Sequence, residues 1–99
     1  GKLQGVVLDN PYNGDTFLPL DGLFIEVGKT PLSELAKKID VQTNEKGEII
    51  TDKMSQTNVE GVFAAGDVTD IEFKQAITGV AQGVTAAYMA FKHIKSKSS

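Results

Sequence analysis

The sequence predicts an α/β fold with a β-hairpin in its first part and a long helix in its last. Apolar runs on both sides of the turn-forming pair Asn13 and Gly14 indicate a hairpin from about residue 3 to residue 20. The short apolar run at residues 62–65 is typical of a buried parallel strand. Apolar and small residues at helical spacing then predict a long helix over residues 75–93.

The chain after the hairpin turn contains several residues that interrupt regular secondary structure. Pro19 is expected to end the second arm or to keep it at a sheet edge, because proline cannot donate to a β-ladder. Residues 23–27 read as a second β-type run, which ends in Gly28. Pro31 biases Thr30 away from helix, so a step from one sheet or layer to another is expected there.

The middle of the chain offers one short helix and one short strand. Ser33 is a candidate N-cap for a helix with Leu35, Ala36 and Ile39 on one face. Residues 48–51 are predicted as a short strand between turn-forming neighbours. A polar connector leads from this strand to the apolar run described above.

The composition of the chain argues against some classes of binding partner. Its 99 residues make one small domain or part of a larger one, and 40% hydrophobic with 23% charged residues is ordinary for a globular protein. The formal net charge of −3, with acids and bases interspersed, gives no electrostatic footprint for nucleic acid. No apolar run approaches the roughly 20 residues that span a bilayer. Neither a nucleic acid nor a membrane is therefore an expected partner.

The absence of cysteine excludes disulfides, thiolate metal sites and a dithiol redox centre within this chain. No metal site and no catalytic residue is predicted. His93, the sole histidine, lies near the basic end of the predicted helix, where a solvated or capping role is expected. The chain begins with Gly1 rather than methionine and shows no signal peptide at its start, so a processed or truncated piece is expected.

A candidate binding site lies where the run at residues 62–65 ends. Gly66 allows the backbone to turn sharply, and Asp67 places a carboxylate at the carboxyl end of the predicted strand, where ligands sit in open α/β sheets. The helix that follows begins with free amide N–H groups, which attract an anion or a carbonyl. Taken alone, the pattern favours a turn or N-cap role for Asp67. The small residues Gly79 and Gly83 likewise suit either tight packing against a strand or contact with a flat ligand.

Two ordered motifs carry a resemblance to a known family. Residues 57–67 read TNVEGVFAAGD and are followed by KQAI at residues 74–77 and a helix rich in small residues. Upstream, residues 21–28 read DGLFIEVG and are followed by Thr30 and Pro31. In order and spacing the chain resembles, over nearly its whole length, the C-terminal part of the thioredoxin reductase-like flavoproteins. These are FAD- and NAD(P)-dependent pyridine nucleotide-disulfide oxidoreductases.

The resemblance implies a partial FAD/NAD(P)-binding fold of the Rossmann-like, three-layer type, with the hairpin and the long C-terminal helix. Residues 1–28 would form the end of the NAD(P)H-binding domain, comprising the hairpin and a last strand. Residues 29–99 would form the C-terminal segment of the FAD-binding domain.

The resemblance also implies which residues bind the cofactor. In this family the counterpart of Asp67 hydrogen-bonds the ribityl or phosphate portion of FAD, with Gly66 at the same strand end. The start of the last helix, at Lys74, Gln75 and Ala76, would face the pyrimidine edge of the isoalloxazine. A helix N-terminus in that position stabilises negative charge on the flavin.

Other parts of the family's machinery are missing from the sequence. There is no G-x-G-x-x-G loop for the FAD pyrophosphate, since the glycines at residues 79–83 sit inside a helix, and no second glycine-rich loop for NADPH. The redox-active cysteine pair is absent as well. The resemblance therefore implies a partial FAD site, NADPH bound by the intact parent, and a chain that is inactive alone. In the parent, hydride would pass from NADPH through FAD to a disulfide.

The implied partners are the remainder of the parent flavoprotein or a second copy of the chain, and a thioredoxin-like acceptor. The implied assembly is a homodimer and the implied location is the cytoplasm. An alternative interpretation is a stand-alone, non-enzymatic interaction module. In that case a partner chain would complete the sheet at the edges left open by residues 23–27 and 62–65.

Overall fold

A computed structural model describes residues 1–98. These residues form two strands and two helices: β1 (Gly5–Tyr12), β2 (Asp15–Pro19), α1 (Glu34–Lys37) and α2 (Ala76–Lys97). The molecule is elongated, with extents of 70 × 26 × 25 Å and a radius of gyration of 20.5 Å, whereas a compact chain of this length has a radius of about 13 Å. Within the described residues neither strand packs against a helix. The hairpin therefore stands apart from the part of the chain that carries the candidate site.

β1 and β2 form the hairpin that the sequence predicts. The strands are antiparallel, with Val7 opposite Phe17 and a bulge between this pair and the turn. Asn13 and Gly14 make the two-residue turn with φ angles of 50° and 81°, as the type I′ geometry requires. β2 ends at Pro19, whose ring nitrogen carries no hydrogen for a further ladder bond.

The predicted strand at residues 23–27 does not form. This segment has no regular structure, and Phe24 and Val27 are 91% and 92% exposed. A strand needs a neighbour that donates and accepts its ladder hydrogen bonds. No segment of the described chain pairs with this one, so its apolar side chains stay in solvent.

The apolar run at residues 62–65 is half-buried and irregular, so the predicted buried strand is wrong for this chain. Phe63 forms a single antiparallel bridge with Gln56, and the Ala64 N–H donates to the Ser55 carbonyl at 3.1 Å. A buried parallel strand has neighbours on both sides and cover on both faces. The described residues give this run a ladder partner on one side only.

Isolated bridges rather than a sheet hold the middle of the chain together. Ile49 bridges to Thr43 in the antiparallel sense and to Thr69 in the parallel sense. The strand predicted at residues 48–51 is thus reduced to one bridging residue. Ile49 and Val41 are the buried apolar side chains of the described chain, and this small core lies beside the loop that carries the candidate site.

Ser33 precedes α1 but does not cap it. Its hydroxyl donates instead to the Gly47 carbonyl at 2.6 Å, and it makes no side-chain cap hydrogen bond. α1 is a single helical turn, and its Leu35 is exposed. The capping role expected for Ser33 is therefore wrong, because its hydroxyl ties the start of α1 to the turn at Gly47.

Replacing Ser33 with alanine is expected to destabilise the chain by about 1–3 kcal/mol, the usual cost of leaving a buried polar partner without its hydrogen bond. Ser33 is buried, so water does not readily take the place of the hydroxyl. Urea unfolding followed by circular dichroism measures the loss. Ser98→Ala, which removes an exposed hydroxyl, is the control. A Ser33→Ala variant as stable as the wild type would contradict this role.

The predicted long helix is present and extends past its expected end at residue 93, to Lys97. Lys95 and Lys97 lie in its last turn, where positive charge interacts favourably with the helix dipole. Lys97 also pairs with Glu60 at 3.0 Å. No helix of residues 1–98 combines the length and apolar character needed to cross a bilayer.

Candidate functional site

The loop after residues 62–65 is fixed by hydrogen bonds to its own backbone. Gly66 has a φ angle of +91°, a conformation in which a side chain would be strained. Its carbonyl accepts from both the N–H and the hydroxyl of Thr69, at 3.0 and 2.8 Å. Thr69 is fully buried. The sharp turn predicted at Gly66 is thus confirmed, and these bonds hold it in place.

Two residues of α2 hold this loop against the helix. Gln82 Oε1 accepts from the Gly66 N–H at 2.9 Å, and Gln82 Nε2 donates to the Thr69 hydroxyl at 3.1 Å. A Cβ placed on Gly79 would lie 3.5 Å from the Gly66 Cα, so the helix backbone approaches the loop closely. Because Gly79 lies about one turn from the start of α2, the loop sits at the N-terminal end of the helix.

Asp67 takes no part in this network. Its side chain is 55% exposed, and its carboxylate is 3.2 Å from the Lys29 ammonium. Within residues 1–98 no backbone N–H donates to it, so the turn or N-cap role is not the one that this structure shows. An exposed ion pair of this kind contributes at most about 1 kcal/mol. The carboxylate is therefore free to exchange Lys29 for a stronger ligand.

The start of α2 is open to solvent beside this loop. Gln75 is the N-cap residue, and its N–H donates to Thr78 Oγ1 at 3.0 Å, as in one half of a capping box. The first N–H groups of a helix have no carbonyl partner within it, and they carry the positive end of the helix dipole. Gln75 and Ala76 are exposed. The structure thus brings Asp67 and these residues to the same end of α2.

Lys74 turns its side chain into the protein. Its ammonium lies 2.8 Å from Glu48 Oε2 and donates to the carbonyls of Ile71 and Thr69, at 2.9 and 2.5 Å. The side chains of Lys74 and Glu48 are 16% and 13% exposed. Unlike Asp67, Lys74 therefore presents no charge at the surface of the candidate site.

Glu48 and Gln82 are the residues of this site that sequence reasoning missed. A glutamate at the start of a predicted short strand is ordinarily solvated, and a glutamine inside a helix carries no signal of its own. Their partners Lys74 and Gly66 lie well separated from them along the chain, so no local pattern reveals the contacts. The one available signal is that residue 82 shares a helix face with Gly79, three residues earlier.

Glu48 is held ionised by its neighbours. The hydrogen bond from Lys74, followed by that from Asn44, holds the pKa of the Glu48 carboxyl below its ordinary value of 4.5, against an opposing effect of desolvation. Asn44 Nδ2 donates to Glu48 Oε1 at 2.8 Å. Glu48 is therefore ionised at neutral pH, and its ion pair with Lys74 is lost when acid protonates this carboxylate.

Acid is expected to remove the contribution of Glu48 to folding. A carboxyl with a lowered folded-state pKa adds stability above its unfolded pKa, near 4.5 for Glu48, and loses it as the pH falls through the lower folded value. Urea unfolding of the chain at neutral pH should show Glu48→Gln to be less stable than the wild type. The difference in the free energy of unfolding should shrink as the pH falls below about 4.5. A difference of constant size at every pH would contradict this role.

A turn held at the N-terminal end of a long helix is a geometry at which α/β folds bind anionic groups. A family model described as pyridine nucleotide-disulphide oxidoreductase matches residues 2–84. The chain belongs to the pyridine nucleotide-disulphide oxidoreductase family.

Solved structures that resemble this chain are thioredoxin reductases. The enzyme from Lactococcus lactis superimposes with a TM-score of 0.71 at 39% identity, over 85% of this chain and 28% of that chain. The enzyme from Streptococcus pyogenes MGAS5005 gives a TM-score of 0.72 at 32% identity, over 96% of this chain and 31% of that chain. The predicted likeness to thioredoxin reductase-like flavoproteins and the predicted partial FAD/NAD(P)-binding fold are confirmed.

The curated relatives are much longer proteins. The F component of alkyl hydroperoxide reductase in Staphylococcus aureus strain Mu50 is 47% identical over 77 residues, which is 78% of this chain and 15% of the relative. The protein of the same name in Xanthomonas campestris pv. phaseoli is 38% identical over 94 residues, or 94% of this chain and 18% of the relative. The chain thus spans less than a fifth of the length of these relatives.

Proposed function

We propose that this chain is the C-terminal segment of a thioredoxin reductase-like flavoprotein and supplies part of its FAD site. One observation carries this proposal. The exposed Asp67 carboxylate and the open N-terminus of α2 are held at one place, because Gly66 is bonded to Gln82 and packed on Gly79. The membership of the family and the likeness to thioredoxin reductases support the same conclusion.

The chemistry of these groups suits FAD. A carboxylate accepts hydrogen bonds from hydroxyl groups, so Asp67 would hold the ribityl chain, with Gly66 allowing the backbone to come close. The start of α2, at Lys74, Gln75 and Ala76, would face the pyrimidine edge of the flavin. There the helix dipole favours negative charge on the ring. When bound, FAD would take hydride from NADPH and pass its electrons to a disulfide acceptor.

The separation of the hairpin from the rest of the chain supports a division into two domain parts. Residues 1–28 would complete the NAD(P)H-binding domain, and residues 29–99 would complete the FAD-binding domain. The glycine-rich loops and the cysteine pair would come from the remainder of the parent, so this chain alone would not catalyse the reaction. We further propose a homodimeric parent with a thioredoxin-like acceptor, located in the cytoplasm.

A second candidate is a stand-alone interaction module that completes its fold with a partner chain. The exposed apolar residues of the 23–27 segment favour it, as does a shallow apolar groove of about 400 Å³ between α1 and residues 62–65. Sedimentation of the isolated chain tests this candidate. A monomer at every concentration, with no tendency to associate, would contradict it.

Anaerobic reduction of the native polypeptide by NADPH tests the main proposal. Purified without denaturation, the polypeptide that contains this chain is expected to carry FAD, and NADPH should bleach the flavin absorption in a single turnover. Adding NADH in a parallel sample shows which nucleotide is preferred. A bound flavin that neither nucleotide reduces would contradict the proposed hydride transfer.

A further inference from the structure

Lys74 stands at the start of α2, yet its ammonium is fully engaged by groups of its own chain. It contacts one carboxylate, that of Glu48 at 2.8 Å, and two backbone carbonyls, those of Thr69 and Ile71. The three groups use the three donors of an ammonium. A lysine at a flavin-facing helix start would ordinarily be read as a ligand, but this side chain has no donor left for a cofactor.

The two carbonyls belong to the loop that joins Asp67 to α2. By bonding them, Lys74 draws residues 69–71 against the helix start. Glu48 supplies the opposing charge from a fixed position, because its neighbour Ile49 donates to the Val68 carbonyl at 2.8 Å and accepts from the Asp70 N–H at 2.9 Å. The loop is thus tied to the 48–49 segment by backbone bonds and to α2 by the side chain of Lys74.

The charges of this pair are also costly to separate. Both side chains are largely withdrawn from water, and removal of one partner from such a pair leaves the other desolvated and unpaired. The second oxygen of Glu48 is satisfied by Asn44 at 2.8 Å. The arrangement is therefore a closed polar network at the base of the candidate flavin site, with both of its charged ends bonded.

We propose that Lys74 and Glu48 are a positioning pair for the flavin: they act through the 69–71 loop, which sets the place of Asp67 relative to the N-terminus of α2, and do not touch the cofactor. This inference rests on the proposed FAD site. It assigns a role to Glu48, for which sequence reasoning gave none, and it gives the side chain of Lys74 a role other than ligand.

The test compares five variants of the native flavoprotein: Lys74→Met, Glu48→Gln, the double variant that combines these two, Lys74→Arg and Lys46→Met. FAD affinity is measured by titration of the flavin-free protein with FAD, and the midpoint potential and visible spectrum of the bound flavin are recorded. Far-UV circular dichroism reports whether each variant folds. Lys46→Met is the matched control, because Lys46 is an exposed lysine near Glu48 that makes no hydrogen bond to it.

Lys74→Met and Glu48→Gln are expected to weaken FAD binding in the same direction, by about tenfold or more, and to shift the flavin spectrum and potential. The double variant should be little worse than either single one, and Lys74→Arg should restore most of the affinity. Lys46→Met should behave as the wild type. Glu48→Gln keeps the size of the side chain but replaces one acceptor oxygen with an amide donor. It therefore removes the charge without leaving a cavity, and it keeps the comparison informative even where Lys74→Met folds poorly.

Two results would overturn the inference while leaving the proposed function intact. If Lys74→Met and Glu48→Gln both bound FAD with wild-type affinity and spectrum, the pair would be structural only. If Lys74→Met weakened binding while Glu48→Gln left it unchanged or tightened it, Lys74 would be a direct ligand. A wild-type protein that binds no FAD would instead overturn the proposed function itself, and the inference with it.

Discussion

Replacing Asp67 with alanine is expected to cause the largest loss of FAD of any single change in this chain. A hydrogen bond to a charged group contributes about 1.5–3 kcal/mol, which corresponds to a loss of affinity of roughly ten- to a hundredfold. The contact with Lys29 is exposed on both sides, so its removal should cost little stability. The variant should therefore fold normally and lose flavin during purification.

The flavin-to-protein ratio after gel filtration, followed by titration with FAD, measures this effect. Glu72→Ala is the matched control, since it removes an exposed carboxylate from the same loop. Asp67→Asn separates charge from shape, because it keeps an acceptor oxygen without the negative charge. Asp67→Ala with an unchanged flavin content would show that this carboxylate does not hold the cofactor.

Leucine at position 79 is expected to destabilise the site by about 1–3 kcal/mol through overpacking. An added Cβ at Gly79 would make an ordinary contact with the Gly66 Cα at 3.5 Å, so alanine is tolerated there. The larger leucine side chain has no room and would push the loop away from α2. The hydrogen bonds between Gly66, Thr69 and Gln82 would then break together.

Gly83→Leu provides the control for this prediction. It places the same side chain in the same helix, at a position where an added Cβ meets nothing within 4 Å. Urea unfolding should rank Gly79→Leu below the wild type and Gly83→Leu at or above it, because glycine costs about 1 kcal/mol within a helix relative to a better helix former. FAD binding should fall only for Gly79→Leu. Equal effects of the two substitutions would contradict a specific contact between the helix and the loop.

The elements that the sequence predicts correctly are those that neighbouring residues determine. The hairpin follows from Asn13 and Gly14, whose positive φ angles fit a two-residue turn. The turn at Gly66 and the long helix α2 likewise depend on neighbours in the sequence. Each of these features was predictable because a few adjacent residues determine it.

The predicted features that the structure does not show depend on partners that are distant in the sequence or lie outside the described chain. Residues 23–27 and 62–65 have the composition of strands, but a strand forms only beside another that completes its hydrogen bonds, and the described chain does not supply those neighbours. Ser33 has the right residue type for a cap, and the distant Gly47 carbonyl takes its hydroxyl instead. The contact of Lys74 with Glu48 is a third case, because nothing in either local segment indicates the other.

We propose above all that this chain forms part of an FAD site within a longer flavoprotein. The most direct measurement is to isolate the native polypeptide from its source cells with an antibody to this chain, without denaturation, and to determine its mass and its FAD content together. We expect a polypeptide about three times as long as this chain or longer, in keeping with the share of the solved relatives that the chain covers. It should carry about one FAD per polypeptide, as a single FAD site requires. A flavin-free polypeptide of the length of this chain would contradict it.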